Sequence, residues 1–185
     1  PYIVQPHGSL PRIVEKKGLK QLYDLVWGND ILQHASKIVA VSGSEVEQFR
    51  EFGIPDEKIA VIPNGVSDIS PASLPPPGQF RKQHEIHEKH VILYVGRLHK
   101  IKGLDFLIRA FDSFLQSWNR DDVVLVIAGP DDGSQSALEG LVEQLGLAGK
   151  VRFVGFIPSP AAAYQDADVL VYPSVYEIFG LVPFD

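Results

Sequence analysis

Short apolar runs alternate along this chain with segments whose apolar residues recur at helical spacing. Residues 2–4 form a short apolar run closed by Gln5, Pro6, His7 and Gly8, which predicts a strand entering a loop. Across residues 18–36, Leu19, Leu22, Tyr23, Leu25, Val26, Ile31, Leu32 and Ala35 fall on a helical period, with a break predicted at Gly28-Asn29. Residues 37–41 are rich in β-branched side chains and predict a buried strand. Ser42 or Ser44 then offers an N-cap, Glu45 and Glu47 favour a first helical turn, and Gly53 ends a helix running to about Phe52. Residues 59–62 predict another strand, stopped by Pro63-Asn64-Gly65.

The stretch 67–78 holds four prolines, Pro71, Pro75, Pro76 and Pro77, and ends at Gly78. Proline supplies no ladder donor and breaks helices, so the stretch reads as a connection between domains. After it the alternation is strong. Strands are predicted at 90–95, 123–128, 151–154 and 168–172, and helices at 103–117, 134–145 and 160–167. In the first of these helices Leu104, Leu107, Ile108, Phe111 and Leu115 make one apolar stripe. The unbroken apolar run 123–128 is of the kind covered on both faces of a parallel sheet. Strands separated by helical segments predict right-handed βαβ units and an α/β fold with parallel sheets. The expected organisation is a first domain at 1–66, a proline-rich connection at 67–88 and a second domain at 89–185, both domains incomplete.

Composition narrows the class. Of the 185 residues 45% are hydrophobic, enough for a packed core, and no apolar run reaches the roughly 20 residues a membrane helix needs. Pro6, Gly8 and Pro11 interrupt the opening residues, which therefore do not read as a secretory signal. With no cysteine, disulfides, thiolate catalysis and cysteine-based zinc sites are excluded from this sequence, a composition that fits a reducing, cytoplasmic compartment. There is no methionine and the chain opens on Pro1, so a piece of a longer product is expected.

The net charge of −6 is unevenly spread. Residues 81–102 carry six basic and two acidic side chains, leaving that window at +4 and the remainder at −10. One basic island on an acidic chain is unlike the extended basic face of a nucleic-acid binder and suits a small anionic ligand. Its first part, 81–90, reads as a solvated face. His84, His87 and His90 recur every third residue, a spacing that could clasp a metal, yet the solvated reading is preferred and no metal is expected.

In open α/β sheets ligands bind outside the carboxyl ends of the strands, which singles out four loops: 96–103, 129–133, 155–158 and 173–182. The first, Gly96-Arg97-Leu98-His99-Lys100-Ile101-Lys102-Gly103, matches neither a Walker A loop nor a GxGxxG fingerprint. Arg97 brings a guanidinium fork, and Lys102 a point charge just before a helix N-terminus. On the residues alone, a diphosphate cradle and a solvated basic loop are equally good readings. Gly129 lies in a close-approach turn. In the fourth loop Glu177 places a carboxylate beside Gly180, suited to accepting from two vicinal hydroxyls, or else to stabilising a helix N-terminus.

The segments Val61-Ile62-Pro63-Asn64-Gly65-Val66, Tyr94-Val95-Gly96-Arg97-Leu98 with Lys102-Gly103, and Glu177-Ile178-Phe179-Gly180-Leu181-Val182-Pro183 stand in an order that closely resembles the group 1 retaining glycosyltransferases of GT-B architecture. Ala40-Val41-Ser42 and His7-Gly8 fit the same pattern, so the resemblance covers essentially the whole chain. It implies two Rossmann-like domains and transfer of a hexosyl group from a UDP- or GDP-linked sugar to a sugar or lipid-linked acceptor hydroxyl. It implies no bound cofactor or metal, and a cytoplasmic location at which a membrane-borne acceptor could be met. By the same resemblance Arg97 and Lys102 bind the donor diphosphate, Glu177 contacts the donor sugar, and His7 approaches that sugar from the first domain. Gly96, Gly129, Phe156, Phe179, Gly180, Leu181 and Asp185 complete the donor site. Asp185 stands where the family's Glu-x7-Glu pattern has its second glutamate, a departure that bears on ribose binding. A non-catalytic nucleotide-sugar-binding module and a GT-B epimerase or phosphorylase are the alternative readings.

Overall fold

The computed structural model describes residues 1–7, 29–66, 74–118 and 121–177. These divide into two compact units, one comprising Pro1–Val66 with Glu177, the other residues 74–176. In the first unit, strands β1 (Ile3–Val4), β2 (Lys37–Ala40) and β3 (Ile59–Val61) form a parallel sheet in that order, with Ile3 opposite Lys37 and Ile38 opposite Ile59. Helices α1 (Asn29–His34) and α2 (Gly43–Glu51) supply Leu32 and Phe49 to a core shared with Ile38, Ala40 and Ile54. Of the helix predicted across 18–36, the part before residue 29 lies outside the described residues.

Ser42 is the N-cap of α2, its hydroxyl accepting from the Glu45 N–H at 3.4 Å. The fully buried Glu45 carboxylate returns to accept from the Val41 N–H at 2.8 Å. This reciprocal arrangement satisfies orphan donors at the helix start and locks the β2–α2 corner.

The second unit holds β4 (His90–Val95), β5 (Val123–Ala128), β6 (Val151–Gly155) and β7 (Val169–Leu170), all parallel, in the order β6-β5-β4-β7. Its helices are α3 (Gln79–Gln83), α4 (Leu104–Trp118), α5 (Gln135–Gln144) and α6 (Ala161–Asp166). All six residues of β5 are buried because alternate side chains feed two cores. Val123, Leu125 and Ile127 meet α4 and α5, whereas Val124, Val126 and Ala128 share a cluster with Phe80 and Ala163 of α3 and α6. On α4 the buried residues Leu104, Leu107, Ile108 and Phe111 follow the predicted stripe. Each such side chain contributes about 1.5–3 kcal/mol relative to an exposed one.

Residues 81–90 are solvated only in part: Lys82, Gln83, Glu85, His87 and Lys89 are exposed, but the segment is anchored to the sheet. Phe80 and Ile86 are 3% and 5% exposed, inside the second core. Gly78 is the N-cap of helix α3 and has no side chain to offer, so the cap comes from α6, distant in sequence but packed beside it. The buried Asp166 carboxylate accepts from the Gly78 N–H at 2.5 Å and the Arg81 N–H at 3.1 Å. The Arg81 guanidinium in turn donates to the carbonyls of Asp166, Glu88 and Lys89. Arg152 reaches the Glu85 carbonyl and the Glu88 carboxylate, both at 2.8 Å. Two of the chain's cations are thus spent on holding this segment to the sheet. The histidine trio is split among separate surroundings. His84 packs on Phe80, their rings 4.6 Å apart, and His90 lies 3.6 Å from the Asp168 carboxylate. Among the described residues no three His, Asp or Glu side chains are grouped to share a metal ion. No helix of the described residues is long and apolar enough to cross a membrane.

Replacing Asp166 by Ala strands two helix-start donors, so Asp166→Ala is expected to cost about 1–3 kcal/mol in urea unfolding, with Asp166→Asn recovering part. His84 gives a pH signature. Its enclosed Nε2 has no hydrogen-bond partner among the described residues, and burial pushes its pKa below the ordinary histidine value. The unfolded chain therefore takes up the proton more readily than the folded one. The contribution is complete above about pH 6.5 and is lost as pH falls toward the lower folded value. His84→Phe is expected to lessen the fall in melting temperature between about pH 7.5 and 5.5.

Candidate functional site

The carboxyl ends of β4, β5 and β6 are drawn together by backbone contacts that exclude side chains. Gly96 donates to the Ala128 carbonyl at 2.9 Å, and Gly129 to the Gly155 carbonyl at 2.7 Å. A Cβ on Gly129 (φ +147°) would sit 1.8 Å from the Gly96 carbonyl oxygen. One on Gly96 (φ +151°) would sit 2.7 Å from the Tyr94 hydroxyl. That hydroxyl belongs to a fully buried ring and donates to the Arg97 carbonyl at 3.0 Å, so the loop is held from beneath.

Beyond Gly96 the loop is strapped to its neighbour. The buried Leu98 donates to the Pro130 carbonyl at 2.9 Å, and Asp132 donates back to the Leu98 carbonyl at 3.1 Å. The Arg97 side chain leaves this strap 63% exposed, and its Nη1 donates to Asp132 Oδ2 at 2.6 Å. The loop then tightens into a 3₁₀ turn, Lys100–Lys102, whose N-cap is His99, its Nδ1 accepting from the Ile101 N–H at 3.2 Å. A neutral His99 ring therefore carries its proton on Nε2.

Lys102 ends that turn with its ammonium 5.5 Å from the centre of the Tyr172 ring and 3.4 Å from the Tyr172 hydroxyl. An ammonium over an aromatic face is attracted to the ring quadrupole without losing its charge. Gly103 (φ +66°) lets the chain pass so close to the loop after β7 that a Cβ there would lie 2.3 Å from the Pro173 carbonyl oxygen. The Val175 N–H donates to the Ile101 carbonyl at 2.9 Å, completing the junction. The neighbouring Ser174 hydroxyl is enclosed and has no hydrogen-bond partner among the described residues.

The two acids after β5 divide their roles. Asp131 accepts from the N–H groups of Gln135, Ser134 and Gly133, each at 3.0 Å, and those bonds hold its pKa below the usual carboxylate value. It thereby starts α5, while Asp132 faces Arg97. A cavity of about 210 Å³ lies between the 3₁₀ turn and the facing ends of α4 and α5, lined by His99, Lys100, Leu104, Asp105, Ser134 and Leu138 among others. Neither Arg97 nor Lys102 lines it.

Gly96, Arg97, Lys102 and Gly129 thus belong to one assembly of loops at the sheet's carboxyl edge. Phe156 follows β6, 68% exposed. His7 is exposed in the first unit with φ +47°, a left-handed conformation uncommon outside glycine, and Glu177 is an exposed residue grouped with that same unit. Phe179, Gly180, Leu181 and Asp185 lie outside the described residues. Asp132, Tyr94 and Tyr172 were not legible as site residues. The one local hint is the Asp131-Asp132 pair immediately after a buried strand.

A parallel α/β unit with its helices between strands and a glycine-turned loop at a strand end is of the Rossmann-like class. The model of the family described as glycosyl transferases group 1 matches residues 78–185, and that of glycosyltransferase family 4 matches residues 1–68. The chain belongs to the group 1 glycosyltransferases. An uncharacterized glycosyltransferase of Methanocaldococcus jannaschii is 38% identical over 157 residues, covering 80% of this chain and 39% of that protein. A D-inositol 3-phosphate glycosyltransferase of Kineococcus radiotolerans is 31% identical over 167 residues, covering 84% of this chain and 38% of that protein. The chain spans about two fifths of the length of these curated relatives. Among solved structures, Anabaena HepE in complex with UDP and glucose superposes with a TM-score of 0.77 at 24% identity, covering 98% of this chain and 49% of that one. Sucrose-phosphate synthase of Thermosynechococcus elongatus gives 0.74 at 26% identity, covering 97% and 46%. The fold is that of the GT-B glycosyltransferases.

Because the Gly129 position has neither the room nor the φ for a side chain, Gly129→Ala must part the β4 and β5 ends. It is expected to lower stability by at least about 2 kcal/mol in chemical denaturation, whereas an exposed helical change such as Gln116→Ala should stay within about 0.5 kcal/mol.

Proposed function

We propose that this chain forms part of an enzyme that moves a hexosyl group from a nucleoside-diphosphate sugar to an acceptor hydroxyl, with retention of anomeric configuration. The observation that carries this reading is the pairing of Arg97 and Lys102 on one loop whose backbone is fixed by Gly96, Gly129 and the Leu98 strap. In such a transfer the bond from the sugar C1 to the β-phosphate oxygen breaks, and its electron pair leaves with the diphosphate. The acceptor oxygen bonds C1 and passes its proton to the departing diphosphate, leaving the glycoside and the nucleoside diphosphate as products. Negative charge grows on the departing phosphate, and preset cations lower the barrier because they need not reorganise as that charge develops. Arg97 offers a planar fork and Lys102 a point charge, together supplying the positive charge the step needs without a metal ion or cofactor.

The remaining roles follow the family pattern. Glu177 accepts from donor-sugar hydroxyls, His7 approaches the sugar, and Gly96, Gly129, Phe156, Phe179, Gly180 and Leu181 bring backbone close to the nucleotide sugar. Asp185 takes the place of the acid that would hold the ribose hydroxyls. The acceptor is a sugar or a lipid-linked compound that offers a hydroxyl, met in the cytoplasm or at its membrane face.

Calorimetry on the protein that carries this chain tests the assignment. Saturable binding of UDP or GDP is expected, weakened about 10- to 100-fold by Arg97→Ala and by Lys102→Ala, the range for losing one charge-assisted hydrogen bond. A folded protein that binds no nucleoside diphosphate, or binds it equally well without either cation, overturns the reading.

A further inference from the structure

We propose that Asp132 is a built-in competitor for the donor diphosphate: its carboxylate holds the Arg97 guanidinium and must be displaced when the nucleotide arrives. The proposal rests on the assignment of Arg97 to that diphosphate. Three observations carry it. The contact is short, Arg97 Nη1 to Asp132 Oδ2 at 2.6 Å, with both side chains reaching solvent. The position of Asp132 is imposed by the backbone, since its N–H donates to the Leu98 carbonyl while Leu98 donates to the Pro130 carbonyl. The strap thus fixes the main chain of Asp132 beside the arginine loop, from where its carboxylate reaches Arg97 and can leave it by side-chain rotation alone. Finally, Asp132 has no part in starting α5, because the neighbouring Asp131 takes the Gly133, Ser134 and Gln135 donors. The geometry leaves Asp132 one visible partner among the described side chains, the cation that the site needs for its ligand.

A carboxylate carries one negative charge and two acceptor oxygens; a diphosphate carries more of both and can span two cations. A monoanion gains little by trading places with Asp132, whereas a diphosphate that also reaches Lys102 gains enough to complete the exchange. Asp132 thus sets a threshold of charge for entry and opposes retention of the nucleotide product. The bridge is exposed, so the threshold is modest.

The test is a double-mutant cycle read by UDP or GDP affinity in the protein that carries this chain. Asp132→Asn preserves the main-chain strap and the side chain's size while removing the charge, and is expected to tighten binding about two- to fivefold. Asp132→Glu, which keeps a carboxylate near the arginine, is expected to stay close to wild type. In an Arg97→Ala background Asp132→Asn should change nothing, because the group it competes for is gone. Weaker binding in Asp132→Asn overturns the proposal and makes Asp132 a positioning residue for Arg97. Equal tightening with and without Arg97 also overturns it, since the effect would then be general charge removal. If Arg97→Ala leaves nucleotide affinity unchanged, the functional assignment of Arg97 falls and this proposal falls with it. If Arg97→Ala weakens binding and Asp132→Asn has no effect, only the competitor role is lost.

Discussion

The approach of the Gly96 carbonyl to the α-carbon of Gly129 is the constraint from which the site is built. The carbonyl stands 1.8 Å from where a side chain on Gly129 would begin, so no L-residue fits without moving a strand. The contact joins the ends of the two central strands, and both residues use φ values that glycine alone adopts easily. From this junction the chain can turn out of the sheet within one residue. Arg97 then emerges at the strand end, and Leu98 is in place to bridge to the loop after β5. Asp132 owes its position to that bridge. A change at either glycine would therefore reach the cation loop, the acid facing it and the start of α5 together.

The basic island has two physical jobs, separated along the chain. At its beginning Arg81 is consumed by folding, donating to three carbonyls and binding α3 to the segment around Asp166 and Asp168. At its end Arg97 and Lys102 stand on the loop at the sheet's carboxyl edge. Net positive charge over the window corresponds to cations on a strand-end loop only in this second half. Charge that satisfies backbone carbonyls contributes to stability, whereas charge at a strand end can meet a ligand. Sequence alone cannot separate these cases, because carbonyl acceptors leave no compositional mark.

Legibility followed the range of the interactions. The unbroken apolar run of β5, the stripe of α4 and the Ser42 cap with its nearby Glu45 rest on contacts within a few residues, and each could be read from the chain. Helix α3 could not. It is five residues long, begins at a glycine and takes its cap from Asp166, 88 positions from Gly78. Prolines just before it concealed it further. The candidate site divides in the same way. Gly96, Arg97 and Lys102 announce themselves through a glycine turn and cations beside a helix start. Tyr94, Tyr172 and Asp132 matter through contacts that join distant segments, 35 positions apart for Arg97 and Asp132.

The ties around Arg97 also determine how the site can respond to a ligand. Its carbonyl is held by the Tyr94 hydroxyl, the residue before it by the Ala128 carbonyl, and the residue after it by the Pro130 carbonyl. Three consecutive backbone positions are thus fixed to the central strands, and little freedom remains in the main chain. The guanidinium side chain, 63% exposed, has no comparable restraint beyond its contact with Asp132. The guanidinium can therefore change partners by side-chain rotation, which costs far less than remaking a loop. On the proposed function, such a site keeps its preorganisation in the backbone and confines its change of partner to one arginine, so that a nucleotide would enter and leave without disturbing the sheet.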